Sequence, residues 1–306
     1  MVINIQDDIL KIQSYGLLDR LIIDKTTKKN LIWGTDAYVQ FGSDYERNRE
    51  ISTHQITGVN ANVIKTRARK AMEHQSERTR QHAEVFTPLW ICKLMNDYAD
   101  EIWFGRKDVF QNKGKPTKRV LFPRDKSWQM YVDSRRMEIT CGEAPYLVSR
   151  YDVATGEMIP VRNRIGILDR KLRVVTENTN NRVEWLEWAF RALQSTYGYE
   201  FQGDNVLIAR TNMFMTFEEY MIEFFQQEPS IEERRKALNI ITWNIWQMDG
   251  LTGTIPYCRA KEQNHQMDLN EWLGIGETRE EENHQPLCKI YDWRAKRSIT
   301  YISMKE

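Results

Sequence analysis

Four short segments carry the residue types from which a ligand site could be built. In chain order they are His82-Ala83-Glu84-Val85-Phe86-Thr87-Pro88, then Glu138-Ile139-Thr140-Cys141-Gly142-Glu143-Ala144-Pro145-Tyr146-Leu147, then Tyr197-Gly198-Tyr199-Glu200, and finally Gln247-Met248-Asp249-Gly250-Leu251. Phe86 offers an aromatic face. Thr87-Pro88 reads as a helix start, because threonine can cap and proline suits the first helical position. A glycine such as Gly142 lets the backbone turn and approach a ligand closely. Glu200 closes a short strand, where a carboxylate can accept hydrogen bonds from neighbouring hydroxyls. Each segment also has a plainer reading: a Thr-Pro helix start, a small buried cysteine at 141, and Gly250 just past a helix end. Generic catalytic patterns are absent. The chain has no GxSxG, no Walker A and no GxGxxG.

The elements that must position these residues follow from periodicity and punctuation. Leu21-Ile22-Ile23 and Leu31-Ile32-Trp33 flank a polar turn and predict a small hairpin over 19–33. Residues 61–83 read as a basic helix, solvated or phosphate-tracking. Ile91, Leu94, Met95, Tyr98, Ile102 and Trp103 predict a helix from Pro88 to a stop near Gly105. Residues 105–136 hold ten Lys or Arg against three Asp, with Gly114, Pro116 and Pro123 as breakers and Trp128 and Tyr131 interleaved. A surface connection is the plain expectation there, and a nucleic-acid-facing loop the sharper one. Strands are expected at 137–140 and 197–201, and helices at 183–195, 204–223 and 231–246. This alternation is that of an α/β domain.

Composition bounds the rest. The 306 residues hold 44 Lys+Arg and 43 Asp+Glu, a net charge of +1, so any nucleic-acid contact must come from local patches. With 41% apolar residues and ten Trp the chain can build a core. No apolar run spans a bilayer, and the N-terminus lacks a secretory h-region. The four cysteines stand singly at 92, 141, 258 and 288, and the five histidines form no HExxH, which argues against zinc and disulfides. A reduced, cytoplasmic protein without a membrane segment is expected.

In their fixed order, the four segments resemble the cofactor-binding half of adenine-specific DNA methyltransferases, more narrowly the methylase subunits of restriction–modification systems. The stretches VDSRRMEITCGEAPYLVSRYD, RIGILDRKLRVV, YGYEFQGDNVLIAR and NIWQMDGLTGTIPYC carry the same likeness, which covers residues 15–303. The resemblance implies an α/β fold with a Rossmann-like class I methyltransferase sheet, incomplete in this chain. An N-terminal hairpin and basic helix (1–84) would precede an S-adenosylmethionine-binding core (85–306). Its first strand would end in the Cys141-Gly142 turn, with Glu138 as the leading acid and Ala144 where the family has a second glycine. The 58 residues from Gly142 to Glu200 exceed a simple βαβ unit, so an insertion near 150–182, with a hairpin over 166–175, is expected. Cofactor contacts are implied at Phe86, Thr87, Pro88, Glu138, Cys141, Gly142, Glu200 and Asp249. Glu200 would take the ribose hydroxyls and Asp249 the adenine amino group. Arg67, Arg69, Lys70, Lys115, Lys118 and Arg119 are the basic residues placed for DNA.

One part of the family pattern is missing. No Asn/Asp-Pro-Pro-Tyr/Phe motif occurs, and no Pro-Pro pair exists in the chain. That motif holds the target amino group and stacks on the flipped base. No catalytic residue is therefore assigned, and methylation would need a partner chain or a further segment that also recognises the target. An incomplete sheet leaves an unpaired edge that invites oligomers. The competing expectation is a non-catalytic DNA-binding or scaffold subunit of a restriction system. A metal-dependent nuclease built on Asp133 and Glu138 is disfavoured, because no Lys trails Glu138 in the required spacing.

Overall fold

The computed structural model describes residues 2–69, 87–257 and 286–304. It is a mixed α/β protein whose main sheet has three parallel strands, β3 (Arg136–Ile139), β4 (Thr196–Glu200) and β5 (Ile245–Gln247), in the order β3-β4-β5. The register aligns Ile139 with Tyr199 and Glu200 with Gln247, so the carboxyl ends of all three strands lie together.

Parallel strands need long crossovers, and here they are helical. Between β3 and β4 run α5 (Ile167–Asn178) and α6 (Arg182–Gln194). Between β4 and β5 run α7 (Gly203–Phe225) and α8 (Ile231–Asn244). Asn181 caps α6, and Ser230 with Glu233 forms a capping box on α8. The stretch 166–175, expected as an inserted hairpin, is thus helical. Leu168, Leu172 and Val175 recur at helical spacing and are buried, so period 3.6 prevails over the strand reading.

The N-terminal part packs into the same core. α1 (Ile5–Ser14) buries Ile5, Ile9 and Ile12 in one cluster with Val206, Met213 and Ile241. The expected hairpin over 19–33 takes another form. Residues 18–21 make a helical turn, α2 (Leu18–Leu21), and only the isolated bridge Ile23–Asn30 remains. Asp24 explains the turn, since its Oδ1 accepts from both Thr27 N–H (2.7 Å) and Thr27 Oγ1 (2.8 Å). The basic helix expected over 61–83 does not extend over 61–69, which form turns; Lys70 and the residues up to Phe86 lie outside the described residues.

Helix α3 (Leu89–Phe104) ends at Gly105 with φ +70°, as its pattern predicts. Its start differs from expectation. Pro88 occupies the cap position, and no side chain, Thr87 included, caps the helix. A short hairpin β1 (Gln111–Asn112) and β2 (Lys115–Pro116), turning at Lys113-Gly114, leads to α4 (Trp128–Asp133), and β6 (Lys289–Asp292) pairs antiparallel with β7 (Arg297–Thr300). This last hairpin stays outside the main sheet. Ile290 and Tyr301 pack with Tyr197, Tyr199 and Trp246 on one face of it.

Candidate functional site

The carboxyl end of the parallel sheet collects the sequence-predicted residues. After β3 the chain turns through three positive φ values, at Thr140 (+53°), Gly142 (+53°) and Ala144 (+67°). Only one of these is glycine. A β-branched residue and an alanine are thus held in a conformation that costs ordinary residues about 1 kcal/mol or more. Cys141 N–H donates to the Tyr199 carbonyl (2.8 Å), and Ala144 N–H to the Cys141 carbonyl (2.7 Å), which pins the loop to β4. Gly142 N–H donates to Glu200 Oε2 (2.9 Å). The acid closing β4 and the glycine turn closing β3 therefore touch. A Cβ added at Gly142 would meet nothing within 4 Å, so this turn faces open space.

Glu138 is buried, and its Oε2 has no hydrogen-bond partner among the described residues. Burial pushes its carboxyl well above the usual range, against backbone N–H donation from Tyr146 and Leu147; the nearby Glu200 raises it further. Thr87 reaches the same place, where its side chain hydrogen-bonds Tyr146. Cys141 is buried, and burial drives its thiol far up, so it is a packing residue and not a nucleophile. Asp249 lies just beyond β5, where Met248 N–H donates to the Glu200 carbonyl (3.0 Å). Its Oδ1 accepts from Leu251 N–H (2.9 Å), and Gly250 packs against the Tyr199 ring. The fold thus brings Thr87, Glu138, Gly142, Glu200 and Asp249 to one end of the sheet. Phe86 lies outside the described residues.

The N-terminal segment forms a wall here that the sequence did not reveal. Gln247 accepts from Ile32 N–H (3.0 Å) and donates to the carbonyls of Ile32 (2.9 Å) and Phe201 (2.8 Å). Gly203 N–H, first in α7, donates to the Trp33 carbonyl (2.9 Å). Glu143 accepts from Arg67 N–H and from Tyr151 hydroxyl (2.7 Å), which fixes the loop from its other side. The one available signal for Gln247 was an amide ending an otherwise apolar strand; Tyr146 and Tyr151 carried none.

The basic residues divide. Arg69 is tied to Asn4 Oδ1 (2.8 Å) and Gln6 Oε1 (3.3 Å). Arg119 donates to the Glu177 carbonyl (3.2 Å) and to Asn178. Lys115 and Lys118 are exposed on and beside the β1–β2 hairpin. Asp133 is clamped by Arg191 at the other end of the sheet, and no group of three metal-ligating side chains occurs among the described residues. No described helix is long and apolar enough to cross a membrane.

No family model, curated protein or solved structure matches this chain.

Proposed function

We propose that this chain is the S-adenosylmethionine-binding portion of an adenine-N6 DNA methyltransferase of a restriction–modification system, with a Rossmann-like sheet. The observation that carries this reading is the Gly142–Glu200 contact at the carboxyl ends of parallel strands. In open α/β sheets that is where ligands bind.

The residues fit the cofactor. The unpartnered Glu138 Oε2 calls for a donor, which the amino group of a methionine moiety supplies. Open space beside Gly142 admits a ligand against the loop backbone. Glu200 would orient ribose hydroxyls, and Asp249 an adenine amino group. When bound, S-adenosylmethionine supplies a methyl group on a sulfonium leaving group, and the chain contributes orientation and charge placement. A further strand with the target-holding motif would have to come from elsewhere.

Calorimetric titration of S-adenosylmethionine tests this reading. Binding that Glu200→Ala and Asp249→Ala each weaken is the expected result. A folded chain that takes up no cofactor overturns it.

The second reading, a non-catalytic DNA-binding or scaffold subunit, is favoured by the exposed Lys115 and Lys118 and by Ala144 in the glycine position. It calls for DNA binding that weakens with salt and ignores the cofactor.

A further inference from the structure

We propose that the amino ends of β3 and β4 carry a phosphate-binding pocket, in which Arg135, Arg294 and the Tyr197 hydroxyl hold the oxygens of one phosphate group. Four pieces of chain meet there: the end of α4, the start of β3, the end of α6 with the start of β4, and the β6–β7 turn. They enclose a cavity of about 250 Å³. A neighbouring hollow of about 360 Å³ shares Asp133, Arg135 and Arg294 with it. The two together have room for a phosphate and the sugar or other ester group attached to it.

The donors of this pocket are left over by the fold. Tyr197 is only 6% exposed and lines the cavity, yet its hydroxyl makes no hydrogen bond with any described residue. A buried hydroxyl of this kind calls for an acceptor. Burial pushes the phenol up to about 12, against the pull of Arg135, so at neutral pH the group donates. The Arg135 guanidinium makes no hydrogen bond with any described residue either. Its nearest acid is Asp292 Oδ1 at 3.8 Å. That oxygen already accepts from the N–H groups of Arg294 (2.9 Å) and Ala295 (3.0 Å) within the β6–β7 turn. The Arg294 guanidinium makes one long bond, to the Asp133 carbonyl (3.5 Å).

The acids of the pocket are engaged elsewhere. Asp133 holds Arg191 with both carboxylate oxygens, and Asp292 closes its own turn. Three arginines line the cavity against these two acids, which leaves a surplus of positive charge. The arginines are not needed to satisfy the helix ends. Both α4 and α6 finish at this pocket, and the buried Lys171 of α5 donates to the Ser134 carbonyl (2.7 Å) and the Ser195 carbonyl (3.0 Å). Guanidinium forks suit carboxylate and phosphate alike. Here the donors come from three separate elements, β3, β4 and the β6–β7 turn, and a tetrahedral anion presents oxygens in as many directions. Outside the cavity, the exposed Lys296 and Arg297 continue the positive charge along the hairpin. The pocket sits at the opposite end of the sheet from Gly142 and Glu200, so it does not depend on the cofactor reading.

The test is calorimetric titration of the full chain with inorganic phosphate, adenosine monophosphate and a short DNA duplex. Saturable binding is expected. Tyr197→Phe, which removes only the hydroxyl, should weaken it about tenfold, and Arg135→Gln with Arg294→Gln about a hundredfold, as loss of one or two hydrogen bonds to a charged group does. The circular dichroism should not change. Arg162→Gln, on an exposed arginine elsewhere, should leave the affinity as it is. Binding of the small probes with these variant effects supports the pocket and makes its ligand a free phosphate ester. Binding of the duplex alone, with the same variant effects, supports it and makes the ligand a nucleic-acid backbone. No binding of any probe by the folded chain, or binding that either the tyrosine or the arginine variant leaves unchanged, overturns the proposal.

Discussion

Helices α7 and α3 solve opposite problems. Residues Gly203–Glu218 of α7 are buried on every side, polar ones included. Arg210 at its centre donates to four carbonyls, those of Leu21, Ile23, Thr242 and Ile245. Helix α3 instead buries Asn96 and Asp100 beside Cys92 and Phe104 and turns Trp90, Leu94, Met95, Tyr98 and Ile102 outward. Apolarity alone did not decide which face went in. In both helices the deciding contacts are buried arginines with fully assigned partners, Arg210 within α7 and Arg170 beneath α3. Burial of a charge is tolerated only where its hydrogen bonds are met, and such a site fixes orientation strongly.

The largest expected effect therefore lies in α7. Arg210→Ala removes the donors for four carbonyls and opens a cavity, and should cost about 5 kcal/mol or leave the chain unfolded, as read by urea denaturation. Arg170→Ala takes the guanidinium from Asp97 and Asp100, which keep Lys93, Arg136 and the Tyr131 hydroxyl, and should cost about 2–3 kcal/mol. If α3 were held by apolar packing instead, that variant would denature close to wild type. Ala144→Gly should stabilise by about 1 kcal/mol, because glycine adopts φ +67° without the Cβ penalty. A lower midpoint would mean that the alanine methyl, fully buried, packs better than the backbone strains.

Acidity offers a finer test. The folded-state pKa of Glu138 is raised above its unfolded value by burial. Ionising it therefore costs stability as pH rises above the ordinary carboxylate pKa, and the cost grows until the folded pKa is reached. Glu138→Gln should be neutral in acid and stabilising at neutral pH, measured as the denaturation midpoint against pH. Glu219 has the opposite sign. Burial alone would raise it, but Arg150 and Arg164 overcome that and hold it below the usual range. Its contribution is present above the unfolded pKa and lost as pH falls through the folded one, so Glu219→Gln should flatten the acid limb. The smallest effect belongs to Leu94→Glu, which should move the stability of the isolated fold by no more than about 0.5 kcal/mol, since Leu94 lies on the outward side of α3.

The segments that meet at the carboxyl end of the sheet were legible in the chain. Gly142 and Glu200 were singled out by the resemblance of their segments, and the structure adds the contact between them. Asp249 was singled out by the resemblance of the segment 247–251, and a strand, not the expected helix end, precedes it. The wall formed by Ile32, Trp33 and Gln247 joins residues 215 apart, and no periodicity encodes such a meeting. The hairpin expected at 166–175 failed for a related reason: a short apolar run is ambiguous between strand and helix until a neighbour selects its face.

What the sequence determined by itself was local. It set most helix spans and the stop at Gly105, the α/β class through alternating strands and helices, and the glycine turn at Gly142. Tertiary structure alone decided which side of α3 faces in, that Thr140 and Ala144 accept left-handed backbone, and that the N-terminal segment closes over the strand ends. These depend on long-range hydrogen bonds from Arg170, Gln247 and Glu143, whose energies outweigh local preference but whose partners are distant in the chain.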